Sequence, residues 1–139
     1  MAIVLLNKKE LKKIIGNVDD ESIDEKIGMF GTAVERITEE EVEVEVAPNR
    51  PDMLSQQGLF RALRHYFKKS VKKYKVNPPE KNYFVKIDKS LKSIRPFTAC
   101  AIVKSLKFDD EKIKEIIDIQ EKLHMSIGRN RKKLAIGIN

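Results

Sequence analysis

Five residues near the carboxyl end, Arg129-Asn130-Arg131-Lys132-Lys133, place four cations on one short stretch. A second basic group, Arg61, Arg64, His65 and Lys68, recurs at helical spacing and runs on into Lys69-Ser70-Val71-Lys72-Lys73-Tyr74-Lys75. Cations gathered in this way suit phosphate. Each neutralises an anionic oxygen, and Arg does so through two parallel N–H donors. The candidate anion-binding residues are therefore Arg129, Arg131, Lys132, Lys133, Arg61, Arg64 and Lys68. The rival use of the carboxyl-end cluster is a solvated turn, or one that pairs with acids such as Asp118 and Glu121.

No other constellation supports chemistry. His65 and His124 fall on helical patterns with no Asp or Glu at metal-ligand spacing. Cys100 stands alone between Ala99 and Ala101 and reads as a buried, inert thiol. The pairs Asp19-Asp20 and Asp109-Asp110 sit where a helix start favours negative charge. Gly28-Met29-Phe30-Gly31 lacks the lysine of a phosphate loop. No catalytic residue and no metal ligand is assigned.

The elements that must carry the basic groups follow from periodicity. Ile3-Val4-Leu5-Leu6 reads as a short buried strand, and Asn7 with Glu10 three residues on resembles a capping box. Leu11, Ile14 and Ile15 share one helical face, ended by Gly16. A second helix runs from Asp20 to Phe30, with Ile23, Ile27 and Phe30 inward and Gly28 and Gly31 closing it. Residues 33–37 suit a strand, and Val42, Val44 and Val46 alternate with Glu41, Glu43 and Glu45 as a half-buried one. Pro48-Asn49-Arg50-Pro51-Asp52 must turn, because each proline disfavours a helical residue before it.

Asp52 is expected to cap a long helix from Met53 to Lys68 or beyond, with Leu59, Leu63 and Phe67 as its core stripe. Gly58 inside that helix weakens it by about 1 kcal/mol relative to Ala, which a close backbone approach would explain. Residues 75–81 form the best linker. Beyond it, Tyr83, Val85 and Ile87, residues 97–107, and Leu134-Ala135-Ile136-Gly137-Ile138 are expected as strands. Asp109 opens a helix with Ile113, Ile116, Ile117, Gln120 and Leu123 buried, and Gly128 ends it.

The whole chain has 139 residues, 28 Lys+Arg, 21 Asp+Glu and a net charge of +7. That total hides a split: residues 1–47 carry 6 basic and 12 acidic residues, whereas residues 48–139 carry 22 and 9. The second part is thus suited to a polyanion, although heat-adapted composition is also rich in Lys and Glu. Hydrophobic residues make up 41%, enough for a core. No apolar run approaches the roughly 20 residues of a membrane span, and Met1-Ala2-Ile3 lacks the basic flank of a leader. One cysteine excludes an internal disulfide framework and suits the cytoplasm.

Longer motifs carry a resemblance. Val44-Glu45-Val46-Ala47-Pro48-Asn49-Arg50-Pro51-Asp52-Met53-Leu54-Ser55, then Gly58-Leu59-Phe60-Arg61-Ala62-Leu63-Arg64, closely resembles the N-terminal region of the beta subunit of phenylalanyl–tRNA synthetase. The archaeal and eukaryotic branch fits best. Residues 94–104, Leu106-Lys107-Phe108, residues 120–137 and the start around Val4 and Asn7-Lys8-Lys9-Glu10-Leu11 match it too. Only about ten residues separate Arg36 from the Pro48 turn, so the oligonucleotide-binding barrel inserted there in bacterial relatives is missing, as in that branch.

The resemblance implies an alpha–beta heterotetramer that joins phenylalanine to its tRNA with ATP and magnesium, the active site lying on the alpha subunit. It implies an α+β chain. Residues 1–76 would form a small helical, winged-helix-like domain with a strand pair, and residues 82–139 would begin the mixed α/β editing domain that hydrolyses mischarged tyrosyl-tRNA. Relatives continue past Ile138, usually with His-Asp, whereas this chain reads Asn139, as a fragment, a split-gene product or a shortened paralogue would. No residue matches an editing residue. The expected role is structural and tRNA-contacting, without catalysis and with no cofactor bound by this segment. A stand-alone nucleic-acid-binding module and a trans-editing hydrolase are the alternatives.

Overall fold

A computed structural model describes residues 2–68 and 75–138. Its order is β1 (Ala2–Asn7), α1 (Lys8–Ile15), α2 (Asp20–Phe30), β2 (Ala33–Ile37), β3 (Glu41–Val46), a 3-10 turn (Pro51–Met53), α3 (Gln56–Lys68), a second 3-10 turn (Lys89–Ser93) and α4 (Asp110–Met125). The result is a mixed α+β chain with a three-stranded antiparallel sheet ordered β1-β3-β2.

The central strand is the alternating one. Its valines face inward because side chains on a strand point to opposite faces in turn. The register opposes Val44 to Val4 and Val42 to Leu6 on one side, and Val44 to Val34 on the other. Between Val34 and Arg36 the register slips, with Glu35 as the extra residue of a bulge. Val4, Leu6, Val42, Val44 and Val46 are buried with Leu11, Ile14, Ile15, Ile23 and Ile27 of the first two helices and Leu59, Phe60 and Leu63 of α3. On the acidic outer face Arg36 bonds the Glu43 carboxylate across the strands.

Caps fix the helix starts. The Asn7 side chain accepts the Glu10 N–H at 3.0 Å, as expected, but the capping box is only half made. The Asn7 N–H goes instead to Gln56 Oε1 at 2.6 Å, which ties α3 to the β1–α1 junction. Asp19 accepts from Ser22 N at 2.9 Å and Asp109 from Lys112 N at 2.8 Å. These bonds hold both carboxyls below the usual carboxylate range. Gly31 closes α2 in the left-handed region, at φ 97°. Gly28 lies within that helix rather than closing it.

Asp52 does not cap α3. Pro51 starts a 3-10 turn, and Asp52 faces Arg50 instead. The helix begins four residues later at Gln56, where Ser55 supplies the cap by accepting the Gly58 N–H at 3.2 Å. Gly58 is explained as expected: a Cβ there would lie 2.1 Å from the Asp52 carbonyl oxygen. Leu59 and Leu63 are buried, and Phe67 is half-buried beside them.

The chain divides into two units, residues 1–71 with 109–139, and residues 72–108. In the second, Asp88 caps the Lys89–Ser93 turn and Lys104 pairs with Glu80. Three strand expectations fail among the described residues. The stretches around Tyr83–Ile87, 97–107 and 134–138 carry no ladder pairing. An alternating pattern makes a strand only where a neighbour supplies hydrogen bonds, and no described segment does so. Phe84 and Phe97 are accordingly 84% and 92% exposed, and Cys100 is exposed rather than buried. The stripe of α4 is only partly covered: Ile113 and Ile117 are exposed, and Ile116, Gln120 and Leu123 are half-buried. Among the described residues no helix is long and apolar enough to cross a membrane.

Candidate nucleic-acid interface

Two basic surfaces emerge. On α3, Arg61 and Arg64 are exposed and His65 is half-buried, one turn on from Arg61. Lys68 is the last residue of α3, its side chain outside the described part, and the run 69–74 lies outside the described residues altogether.

The Pro-rich turn folds back against the start of α3, and the missing side chain of Gly58 lets the Asp52 carbonyl approach. Beside this contact lies a cleft of about 420 Å³, lined by Phe30 at the end of α2, Arg50 and Asp52 of the turn, and Gly58, Arg61, Ala62 and His65 of α3. Arg50 grips Asp52 with two bonds, Nε to Oδ1 at 3.0 Å and Nη2 to Oδ2 at 2.8 Å. That grip lowers the Asp52 carboxyl and raises the Arg50 guanidinium. Arg61 adds a smaller attraction that also keeps Asp52 ionised. An aromatic run braces the cleft from behind: Phe30 meets Tyr66 edge-on at 5.4 Å, and the Tyr66 hydroxyl donates to the Met29 carbonyl at 3.2 Å.

The second surface follows α4. Arg129, Asn130 and Arg131 all take positive φ, at 50°, 54° and 62°. Such residues cost roughly 1–2 kcal/mol each, so three in succession mark a turn held by its surroundings. The holding bonds run from Arg129 N to Ser126 O, Arg131 N to His124 O and Lys133 N to Gly128 O, at 3.1, 3.3 and 2.9 Å. His124 is 2% exposed, and its Nε2 accepts the Ile136 N–H at 2.8 Å. Accepting there places the neutral ring's proton on Nδ1, which lies 3.5 Å from Glu121 Oε1 and makes no hydrogen bond. Gln120 Nε2 donates to the Ile136 carbonyl. Both backbone groups of Ile136 are thus taken by side chains of α4, which is why the segment after the basic turn is not a strand.

The same Glu121 carboxylate receives the Arg131 guanidinium. Arg131 is therefore turned back onto α4, while Arg129, Lys132 and Lys133 are exposed. In the sequence Phe30 reads as a core residue and Arg50 as part of a turn. Their meeting with Arg61 depends on chain reversal, and the one local signal was an Arg two residues before an Asp across Pro51. Among the described residues no three His, Cys, Asp or Glu side chains gather to hold a metal ion.

No family model matches the chain. Curated relatives do. The chain is 37% identical over 141 aligned positions to the phenylalanine–tRNA ligase beta subunit of Methanosarcina barkeri, 40% over 146 to that of Methanococcus aeolicus and 36% over 141 to that of Archaeoglobus fulgidus. Each alignment takes in 100% of this chain and 25–26% of the relative, so the chain spans about a quarter of the length of the proteins it matches. The fold is similar to the crystal structure of an N-terminal fragment of the phenylalanyl-tRNA synthetase beta-subunit from Pyrococcus horikoshii. The TM-score is 0.77 at 27% identity, over 97% of this chain and 41% of that one.

Proposed function

We propose that this chain, homologous along its whole length to archaeal phenylalanine–tRNA ligase beta subunits, serves as the N-terminal, tRNA-contacting part of such a subunit. The observation that carries the reading is the alignment over 100% of the chain with relatives of one name, together with the likeness to an N-terminal fragment. In this reading the segment works within the cytoplasmic ligase, beside an alpha subunit that holds the site for phenylalanine, ATP and magnesium. Residues 1–76 act as the helical, winged-helix-like module, and residues 82–139 lead into the editing domain.

The residues present do not fit ATP or magnesium. Acids such as Asp19 and Asp109 are engaged in capping helices, and no glycine-rich turn offers backbone donors to a triphosphate. What this chain's side chains do is bind. Arg61, Arg64 and Lys68 on α3, and Arg129, Lys132 and Lys133 on the basic turn, neutralise backbone phosphates and release counter-ions. Arg131 contributes more weakly, because Glu121 already pairs with it. Phosphates carry no sequence information, so these contacts position the tRNA rather than select it.

A segment exchange tests the reading. Residues 1–139 replace the matched segment of the Methanosarcina barkeri beta subunit, co-expressed with its alpha subunit. The expected result is an assembled enzyme that charges tRNA with phenylalanine, while the isolated chain neither charges tRNA nor releases tyrosine from tyrosyl-tRNA. An assembled exchange enzyme without charging activity, or hydrolysis by the isolated chain above a no-protein control, would refute it.

A further inference from the structure

We propose that the cleft between the Pro48–Asp52 turn and α3 takes one unstacked nucleotide, its ring against Phe30 and its phosphate at Arg61 and His65. This deepens the tRNA-contacting reading above and rests on it for the identity of the strand. The cleft combines features that a plain phosphate surface does not need. It is concave, and its volume of about 420 Å³ lies within the range of small-ligand pockets. Its floor is made of the two smallest side chains on α3, Gly58 and Ala62, one turn apart, with the Asp52 carbonyl lying against Gly58. Phe30 stands at one side, half-buried and fixed edge-on by Tyr66, which in turn is tied to Met29. A ring held in this way offers a stacking surface already ordered before binding.

The charges are arranged with the same economy. Arg50 is occupied by Asp52 through two bonds. Arg61 makes no ion pair among the described residues, and His65 follows it on the next turn of the same face. One occupied and one available guanidinium leave the cleft with a net positive charge directed at a single phosphate. Duplex RNA presents its bases stacked and paired, so only a single strand, a bulge or an end can place a ring here. Stacking on an aromatic side chain is tolerant of base identity.

The test uses the full chain and a short single-stranded oligoribonucleotide carrying 2-aminopurine at its centre, whose emission reports stacking. The same sequence as a duplex and free adenosine monophosphate are measured beside it. The single strand should bind more tightly than the duplex. Phe30→Leu and Ala62→Leu, the latter filling the floor, should each weaken it about 5- to 150-fold, as expected for a lost base stack, and leave duplex binding within about twofold. Arg61→Gln, at an exposed position, should weaken the single strand more than Arg64→Gln, which lies on the same helix but outside the cleft. Displacement of the oligonucleotide by adenosine monophosphate would make a free nucleotide the occupant, and failure to displace it would make the occupant part of a strand. If the chain binds RNA and neither Phe30→Leu nor Ala62→Leu changes single-strand affinity, the cleft assignment is wrong while the tRNA-contacting reading stands. If the chain binds no RNA but takes adenosine monophosphate in a Phe30-dependent way, the reading fails and the cleft survives. If it binds neither, both fail.

Discussion

Replacing Gly58 with Ala in α3 should reverse the ordinary effect of that substitution. In an open helix interior Ala is about 1 kcal/mol better than Gly, because glycine loses more backbone freedom on folding. Here a Cβ would stand 2.1 Å from the Asp52 carbonyl oxygen, 3.1 Å from its carbonyl carbon and 3.2 Å from Ser55 Oγ. A carbon needs roughly 3.5 Å from such neighbours, so the turn must retreat by more than an ångström. Overpacking of that kind typically costs about 1–3 kcal/mol, and the neighbour is backbone, which cannot swing aside like a side chain. We expect Gly58→Ala to lose about 1–3 kcal/mol net, a drop of roughly 0.5–2 M in the urea midpoint at the usual slope for a small protein. Gly28→Ala is the internal control. That residue lies within α2 with nothing inside 4 Å of the added carbon, and the change should raise stability by about 1 kcal/mol. Urea titrations of both variants followed by helical circular dichroism decide it. If the two shift upward together, the packing of the turn against α3 is wrong, and with it the shape of the cleft.

Other outcomes follow from the same structure. Leu63→Ala, at a fully buried position, should cost about 2–5 kcal/mol in urea melts, and a loss below 1 kcal/mol would contradict the core assignment. Ser55→Ala should cost about 1 kcal/mol as a lost helix cap and exceed Asp52→Ala, whose partner is an exposed guanidinium; the reverse ranking would restore Asp52 as the cap. Asp19, Asp52 and Asp109 all titrate below the usual carboxylate value when folded. Their contribution is therefore complete above the unfolded value near pH 4 and is lost as pH falls through the lower folded values. Urea midpoints should hold steady from these groups at neutral pH and fall below about pH 4, less steeply in Asp19→Asn; an identical acid profile for that variant would refute its part.

What could be read in advance was local. Asn7, Asp19 and Asp109 cap helices because a short polar side chain reaches an amide two or three residues ahead, whatever the rest of the chain does. Val42, Val44 and Val46 turn inward for an equally local reason, and the awkwardness of Gly58 in a helix correctly announced a backbone nearby. Asp52 does not act as the cap because Arg50, which takes its carboxylate, is brought round by the proline turn rather than by helical spacing. The segments after residue 82 show the opposite limit. Tyr83, Val85 and Ile87 alternate well, yet pairing is a property of two segments, and only one is legible at a time. The cleft has the same character, whereas the Glu121–Arg131 tie is the pairing the sequence offers as the rival use of the basic cluster. Phe30 is 20 residues from Arg50 in sequence, and no periodicity links them. Three successive left-handed residues at 129–131 could not be foreseen from Arg-Asn-Arg, since only the closing bonds around His124 and Gly128 hold them.

The central claim, that this chain holds tRNA through phosphate contacts, is tested most directly by the salt dependence of tRNA binding. Labelled tRNA is titrated at several salt concentrations with the chain and with a variant in which Arg129, Arg131, Lys132 and Lys133 are all Ala. At physiological salt the unaltered chain should bind with a dissociation constant of about 10⁻⁴ to 10⁻⁶ M. Each phosphate contact contributes about 0.7–0.9 to the slope of log K against log salt, and Glu121 already engages one of the four cations. The variant should therefore flatten the slope by about 2–3, and Arg131→Ala alone should change it less than Lys132→Ala. Equal slopes and affinities for the chain and the fourfold variant would contradict the account.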